Sequence, residues 1–152
     1  MQLETDKNTP FFQDINFDWD NMRNKKLIVS HTIVGADAAT AANYGIFFIA
    51  PFPCFVVNVY EVHQTLGTDA GAVTLQIERL QGTEALDAGD ALLTTALSLK
   101  ATINTVQTAT MVNTPTTRPT RRLSKGDRLA MKDAGTLTAV ANVTVTIELL
   151  IM

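Results

Sequence analysis

The chain has 152 residues, the length of one domain with a single sizeable hydrophobic core. Hydrophobic residues make up 46% of it and charged residues 18%, which excludes an intrinsically disordered chain. Its formal net charge of −3 argues against general nucleic-acid binding, because such binding needs a strongly basic face.

Membrane insertion and export are not expected either. No apolar run approaches the ~20 residues that cross a bilayer, and the first residues lack a basic segment followed by an apolar one. We therefore expect a protein that is made in a cytoplasm, is not exported by the signal-peptide route and has no membrane partner.

Residues 1–24 differ from the rest of the chain and are predicted to form an extended arm ahead of a β-sandwich domain over 25–152. Residues 1–20 carry a net charge of −4, from five acidic residues against one lysine. Large apolar side chains alternate with polar ones near the end of this segment. Two interpretations stay open: a first strand on its own domain, or an arm that lies across a neighbouring subunit, where a few buried aromatics supply most of the binding energy. The arm's anchors would be Phe11, Phe12, Ile15, Phe17 and Trp19.

The next three segments predict strands. Residues 25–34 alternate, with Leu27 and Val29 on one face. Residues 44–52 and 55–62 are apolar on both faces, whereas a sandwich strand usually has one wet face. We therefore expect their outer face to be covered as well, by the arm or by another subunit.

The middle of the chain predicts a turn, a strand and a short helix. Residues 65–71 form a turn cluster typical of a hairpin loop. The alternation of Val73, Leu75 and Ile77 with polar residues predicts a strand. The leucine spacing within 91–100 favours a short helix, and 103–112 a threonine-rich strand.

A basic loop follows. Pro115 and Pro119 keep residues 113–122 extended, and residues 114–128 carry a net charge of +4. The loop is either simply solvated or a docking site for an acidic surface, and the acidic arm of a neighbouring copy is one candidate. Its candidate contact residues are Arg118, Arg121 and Arg122.

The last segment is the clearest. A turn over 124–127 leads to a strand over 128–132, and after a second turn Val143, Val145, Ile147 and Leu149 face one way while the residues between them face the other. Threonine is frequent and lysine and glutamate are scarce, which favours an all-β class.

No catalytic residue, metal site or cofactor is predicted. His31 and His63 lack other ligands at metal-binding spacing, although Glu61 would share a face with His63. Asp87 and Asp90 do not match a calcium loop. Cys54, the single cysteine, lies in an apolar run typical of a buried structural thiol.

Several turn and strand segments of the chain resemble a family of small structural proteins of tailed bacteriophages, the jelly-roll or related β-sandwich modules of head decoration (cement), head-fibre and tail proteins. The resemblance covers roughly residues 44–150. It is carried by Val56–Val62, Thr65–Leu75, Leu92–Thr95, Ile103–Thr108, Lys125–Ala130 and Gly135–Thr138.

This resemblance implies an all-β antiparallel β-sandwich of jelly-roll type with an extended N-terminal arm. It further implies a virion structural protein that is not an enzyme, binds the major capsid protein on the outer surface of the head as a homotrimer, and stabilises the shell after synthesis in the host cytoplasm. The alternative is a fibre, tail-associated or receptor (glycan) binding module. Neither reading implies a nucleic-acid partner or a cofactor.

Overall fold

The computed structural model describes residues 25–35, 45–68, 70–135 and 139–152, and this part of the chain folds into two five-stranded antiparallel sheets. The first sheet has the order β1-β10-β3, with the short strands β7 and β8 both on β3. The second has the order β2-β9-β4, with β5 and β6 both on β4. The all-β antiparallel sandwich prediction is thereby confirmed, while jelly-roll connectivity stays a prediction. The strands are β1 (Lys26–Gly35), β2 (Ile46–Ile49), β3 (Cys54–Val62), β4 (Thr74–Leu80), β5 (Asp90–Ala91), β6 (Leu97–Ser98), β7 (Gln107–Thr108), β8 (Arg122–Leu123), β9 (Arg128–Ala134) and β10 (Ala141–Ile151).

The hydrophobic core lies between the two sheets and is built by alternation along the strands. The inward residues of β10 are fully buried, as their period of two predicts. They join one cluster with inward residues of β4 and β9 in the other sheet. The central members are Val143, Val145, Ile147, Leu149, Leu75, Ile77, Leu129 and Met131.

The outer face of the first sheet is mixed in character. Threonine and serine hydroxyls pair across β1 and β10, with Thr32 Oγ1 2.9 Å from Thr144 Oγ1. Glu148 accepts a hydrogen bond from Asn58 at 2.8 Å and forms an ion pair with Lys26. At one end of the sheet Leu150 is the cross-strand partner of Phe55, so an apolar patch lies there.

The predicted hairpin at 65–71 is wrong, because this segment joins β3 of the first sheet to β4 of the second. β3 is paired with β10 on one edge and with β7 and β8 on the other, so β4 cannot pair with it. The turn residues are therefore used for a crossover between sheets.

The predicted helix over 91–100 is also wrong. The segment ends β5, turns, and forms β6, with Leu92, Leu93 and Leu99 buried. Leu92 N–H donates to Ile77 O at 2.8 Å and Leu99 N–H to Val73 O at 2.9 Å. These long-range bonds to the β4 region satisfy the backbone, so tertiary pairing overrides the helical spacing.

Two predicted strands are shorter than expected. β2 spans only Ile46–Ile49, and the threonine-rich strand is reduced to Gln107–Thr108. Ile46 and Ile49 are 44% and 62% exposed. The predicted cover of this outer face, by the arm or by another subunit, stays a prediction, because the arm lies outside the described residues.

Gly135 provides a local test of the fold. Its φ is +90°, and an added Cβ would stand 2.1 Å from the carbonyl oxygen of Ala72. We expect Gly135→Ala to lower the free energy of unfolding by about 2 to 3 kcal/mol, from backbone strain plus the displaced carbonyl. Gly126→Ala is the matched control, because its φ is +92° with nothing within 4 Å of the new Cβ. Equal losses in urea denaturation would show that the Ala72 contact has no effect.

Candidate interaction groove

A groove of about 590 Å³ opens at the end of the first sheet where Phe55 and Leu150 are paired. Its floor is apolar and comes from β3, β10 and the C-terminal Met152. The basic segment 115–122 forms the wall that faces this floor. We call it the Phe55 groove; it is lined by Phe55, Pro115, Arg118, Pro119, Arg122, Leu150 and Met152.

A compact turn and a short helix shape the basic wall, so the expectation that residues 113–122 are extended is wrong. Thr114 and Thr117 each accept the other's backbone N–H through their hydroxyl oxygens, both at 3.1 Å. The Arg118 N–H donates to Thr114 O at 2.7 Å, and a 3-10 helix follows over Arg118–Arg121. Pro119 fits near the helix start, where its missing N–H leaves no bond unmade. The wall is therefore built by local hydrogen bonds.

Arg121 attaches this wall to β3. Its Nε donates to Val56 O and its Nη2 to Val57 O, both at 2.8 Å. The β3 ladder has a bulge there, since Glu148 pairs with Asn58 and Leu149 with Val56. The guanidinium also lies 4.5 Å from the centre of the Phe55 ring. Burial, and to a lesser extent the nearby charge of Arg118, lowers the pKa of Arg121.

Arg79 of β4 braces the wall from the other sheet. Its Nη1 donates to Arg122 O at 2.9 Å and more weakly to Pro119 O at 3.4 Å. Its Nη2 donates to Asp90 at 2.6 Å. Both sheets therefore hold the 118–122 segment.

The structure gives the three predicted arginines two different roles. Arg118 and Arg122 are exposed and line the groove, as contact residues would. Arg121 is only 9% exposed, and its guanidinium donates hydrogen bonds to backbone carbonyls of its own chain. Sequence reasoning did not identify Leu150 or Met152 as groove residues, because no local pattern marks strand ends that meet only in the folded sheet.

The predicted anchors of the arm lie outside the described residues. They are Phe11, Phe12, Ile15, Phe17 and Trp19.

Glu61 of β3 and His63, which directly follows this strand, lie on one side, as predicted, and form a polar cluster with Gln107. His63 Nδ1 lies 2.9 Å from Glu61 Oε1, and Nε2 lies 3.1 Å from Ala101 O. Gln107 Nε2 donates to Glu61 Oε2 at 2.5 Å and to Ser98 O at 2.8 Å. The carbonyl oxygen of Ala101 can only accept, so His63 Nε2 carries a proton. A second proton lies between His63 Nδ1 and Glu61 Oε1 and is bound to one of these two atoms. The cluster ties β3 to the 98–107 segment.

Burial raises the pKa of the Glu61 carboxyl, against the lowering effects of His63 and Gln107. Glu61 is 1% exposed and does not line the Phe55 groove. We therefore treat this cluster as a structural one.

The remaining candidate chemistry is structural too. Cys54 is a buried free thiol, as predicted, and burial raises its pKa to about 11. No group of three or more His, Cys, Asp or Glu side chains that could hold a metal occurs among the described residues. Within the same part of the chain no helix is long and apolar enough to cross a membrane.

The fold and the groove define a β-sandwich with an amphipathic groove at one end of its first sheet. No family model matches the chain, and no curated protein matches it. Among solved structures, the chain is similar to a chain of the cyanophage Pam1 capsid asymmetric unit, with 14% sequence identity and a TM-score of 0.54. The match covers 84% of this chain and 86% of that chain. At this identity the likeness shows a shared fold.

Proposed function

We propose that the protein is a bacteriophage virion structural protein that decorates the outer surface of the head as a homotrimer and stabilises it. The observation that carries the proposal is the likeness to a chain of a phage capsid asymmetric unit, which extends over most of both chains. The partner would be the major capsid protein. No catalytic step is assigned.

The described surfaces support a role in binding. Phe55, Val57, Tyr60 and Val62 on the outer face of β3 are only partly buried. Contact with a neighbouring subunit would remove this apolar surface from water, which is the main driving force of protein association. Binding of this kind stabilises a shell by mass action, because it favours the assembled state.

The first test is attachment to capsids. We expect the Phe17→Ala/Trp19→Ala variant to remain folded but to co-sediment with decoration-free heads of the parent phage at least tenfold more weakly, because a few aromatic anchors dominate such interfaces. Leu86→Ala/Val106→Ala is the matched control, since both side chains are exposed and lie in the sandwich domain. Binding of the arm variant equal to that of the parent would reject the arm as the attachment element.

Oligomeric state is the second test. Light scattering should give the mass of three chains in solution. A monomer at all concentrations would contradict the homotrimer and would favour the alternative, a fibre, tail or receptor-binding module.

A further inference from the structure

We infer that the Phe55 groove of the free protein is filled by residues 14–20 of the same chain. The inference concerns the isolated protein and goes beyond the proposed function. An empty groove in the isolated protein would not argue against capsid attachment. A failure to attach to capsids would likewise not argue against a filled groove in the isolated protein.

The chemistry of the groove selects an acidic segment with apolar side chains. Its floor offers Phe55, Leu150 and Met152, and its rim carries Arg118 and Arg122. Among the described residues neither arginine belongs to an ion pair, whereas Arg79 pairs with Asp90. A ligand that brought carboxylates to the rim would pair with the two arginines, and its aromatic rings would cover the apolar floor.

Residues 14–20 have this composition. Their sequence is Asp-Ile-Asn-Phe-Asp-Trp-Asp, with three aspartates and three large apolar side chains and no basic residue. In an extended backbone, successive side chains point to opposite sides. Ile15, Phe17 and Trp19 would then face the floor while the acidic residues face the rim and the solvent.

The end of the groove lies beside the start of β1. The Ile151 N–H donates to Lys25 O at 2.9 Å, and Lys26 is the cross-strand partner of Leu150, which in turn is the partner of Phe55. Two strand spacings of about 4.8 Å therefore separate Lys26 from Phe55. The five residue steps from Asp20 to Lys25 can span up to ~17 Å, so the segment reaches the groove without a second copy.

Attachment to the same chain also favours the same-chain occupant on energetic grounds. A short linker gives the segment an effective concentration in the millimolar range at the groove. An unattached second copy at micromolar concentration would have to bind far more tightly to compete. The rim charges also select this occupant, because an arginine at the rim attracts the acidic segment whereas a like charge there would repel it.

Trp19 reports on this contact, because it is the single tryptophan of the chain. In the full-length protein we expect blue-shifted Trp19 emission and several-fold slower quenching by acrylamide than in a synthetic peptide of residues 10–24. Arg122→Glu should move both values towards those of the peptide. Lys125→Glu makes the same charge change three residues away, on an exposed side chain that does not line the groove, and should leave both values unchanged.

Three outcomes would overturn the inference. The first is Trp19 emission equal to that of the peptide in the unmodified protein. The second is shielded emission that Arg122→Glu and Lys125→Glu leave equally unchanged. The third is shielding that disappears on dilution, which would assign the groove to the segment of a second copy. A nuclear Overhauser contact between the Trp19 indole and the Met152 methyl group, present at low concentration, would support the docked state directly.

Discussion

Replacing Arg121 with alanine is expected to lower the free energy of unfolding by at least about 3 kcal/mol, since each of two hydrogen bonds from a charged donor contributes about 1.5 to 3 kcal/mol. The variant would leave the Val56 and Val57 carbonyls without the donors that reach them in the native protein. It would also remove the guanidinium that lies against Phe55. Urea denaturation followed by circular dichroism measures the loss.

Arg118→Ala is the matched control for this prediction. The two arginines lie three residues apart and both lie over the Phe55 ring, but Arg118 is exposed and its guanidinium is 5.8 Å from the ring centre. Its loss should stay within about 0.5 kcal/mol, as for most surface substitutions. Arg121→Lys should fall between the two, because an ammonium group keeps the charge but not the fork that reaches two carbonyls. Equal stability of the Arg118→Ala and Arg121→Ala variants would contradict the assigned role of Arg121.

The success of sequence reasoning depends on how local the determining contacts are. β10 and β4 were predictable because the alternation of apolar and polar residues along each strand directly records which face is buried. The turn over 124–127 was predictable because the contacts that form it are local. Asp127 Oδ2 accepts the Ser124 N–H at 2.9 Å and Gly126 has a φ of +92°, both within four residues.

The elements that were missed depend on distant partners. Nothing near 91–100 records that its backbone pairs with β4, so its leucine spacing favoured a helix. The same holds for the groove. Arg118, Arg121 and Arg122 look alike in the sequence, and the choice of Arg121 as the buried one depends on a bulge in β3, more than 60 residues earlier. Charge counting therefore found the basic segment but could not separate its structural arginine from its exposed ones.

Two buried glutamates should respond in opposite directions to the same substitution. Glu61 and Glu78 are both 1% exposed. Both oxygens of Glu78 accept backbone N–H groups, from Asp87 at 2.8 Å and from Gly89 at 3.2 Å. Glu78→Gln would place an amide NH₂ against one of these donors, and we expect a loss of about 2 kcal/mol in the free energy of unfolding, the cost of an unsatisfied buried donor.

Glu61→Gln is expected to be neutral or stabilising at pH 7. With Nε2 of His63 donating to Ala101 O, Nδ1 is free to accept from the new amide NH₂. The amide oxygen can then accept from Gln107 Nε2, as Glu61 Oε2 does in the parent. Every polar atom of the cluster keeps a partner, and no buried carboxylate has to be ionised.

The two substitutions should also differ in their pH dependence. Because burial raises the pKa of Glu61 in the folded state, the parent loses stability as the pH rises from the usual glutamate value of about 4.3 through the raised value. Glu61→Gln removes this titration, so its stability relative to the parent should increase with pH over that window. Urea denaturation from pH 4 to 9 measures the difference. If Glu61→Gln instead destabilises the protein at pH 7 as much as Glu78→Gln does, Glu61 is held as a carboxylate paired with a protonated His63, and the proton of the cluster lies on the imidazole.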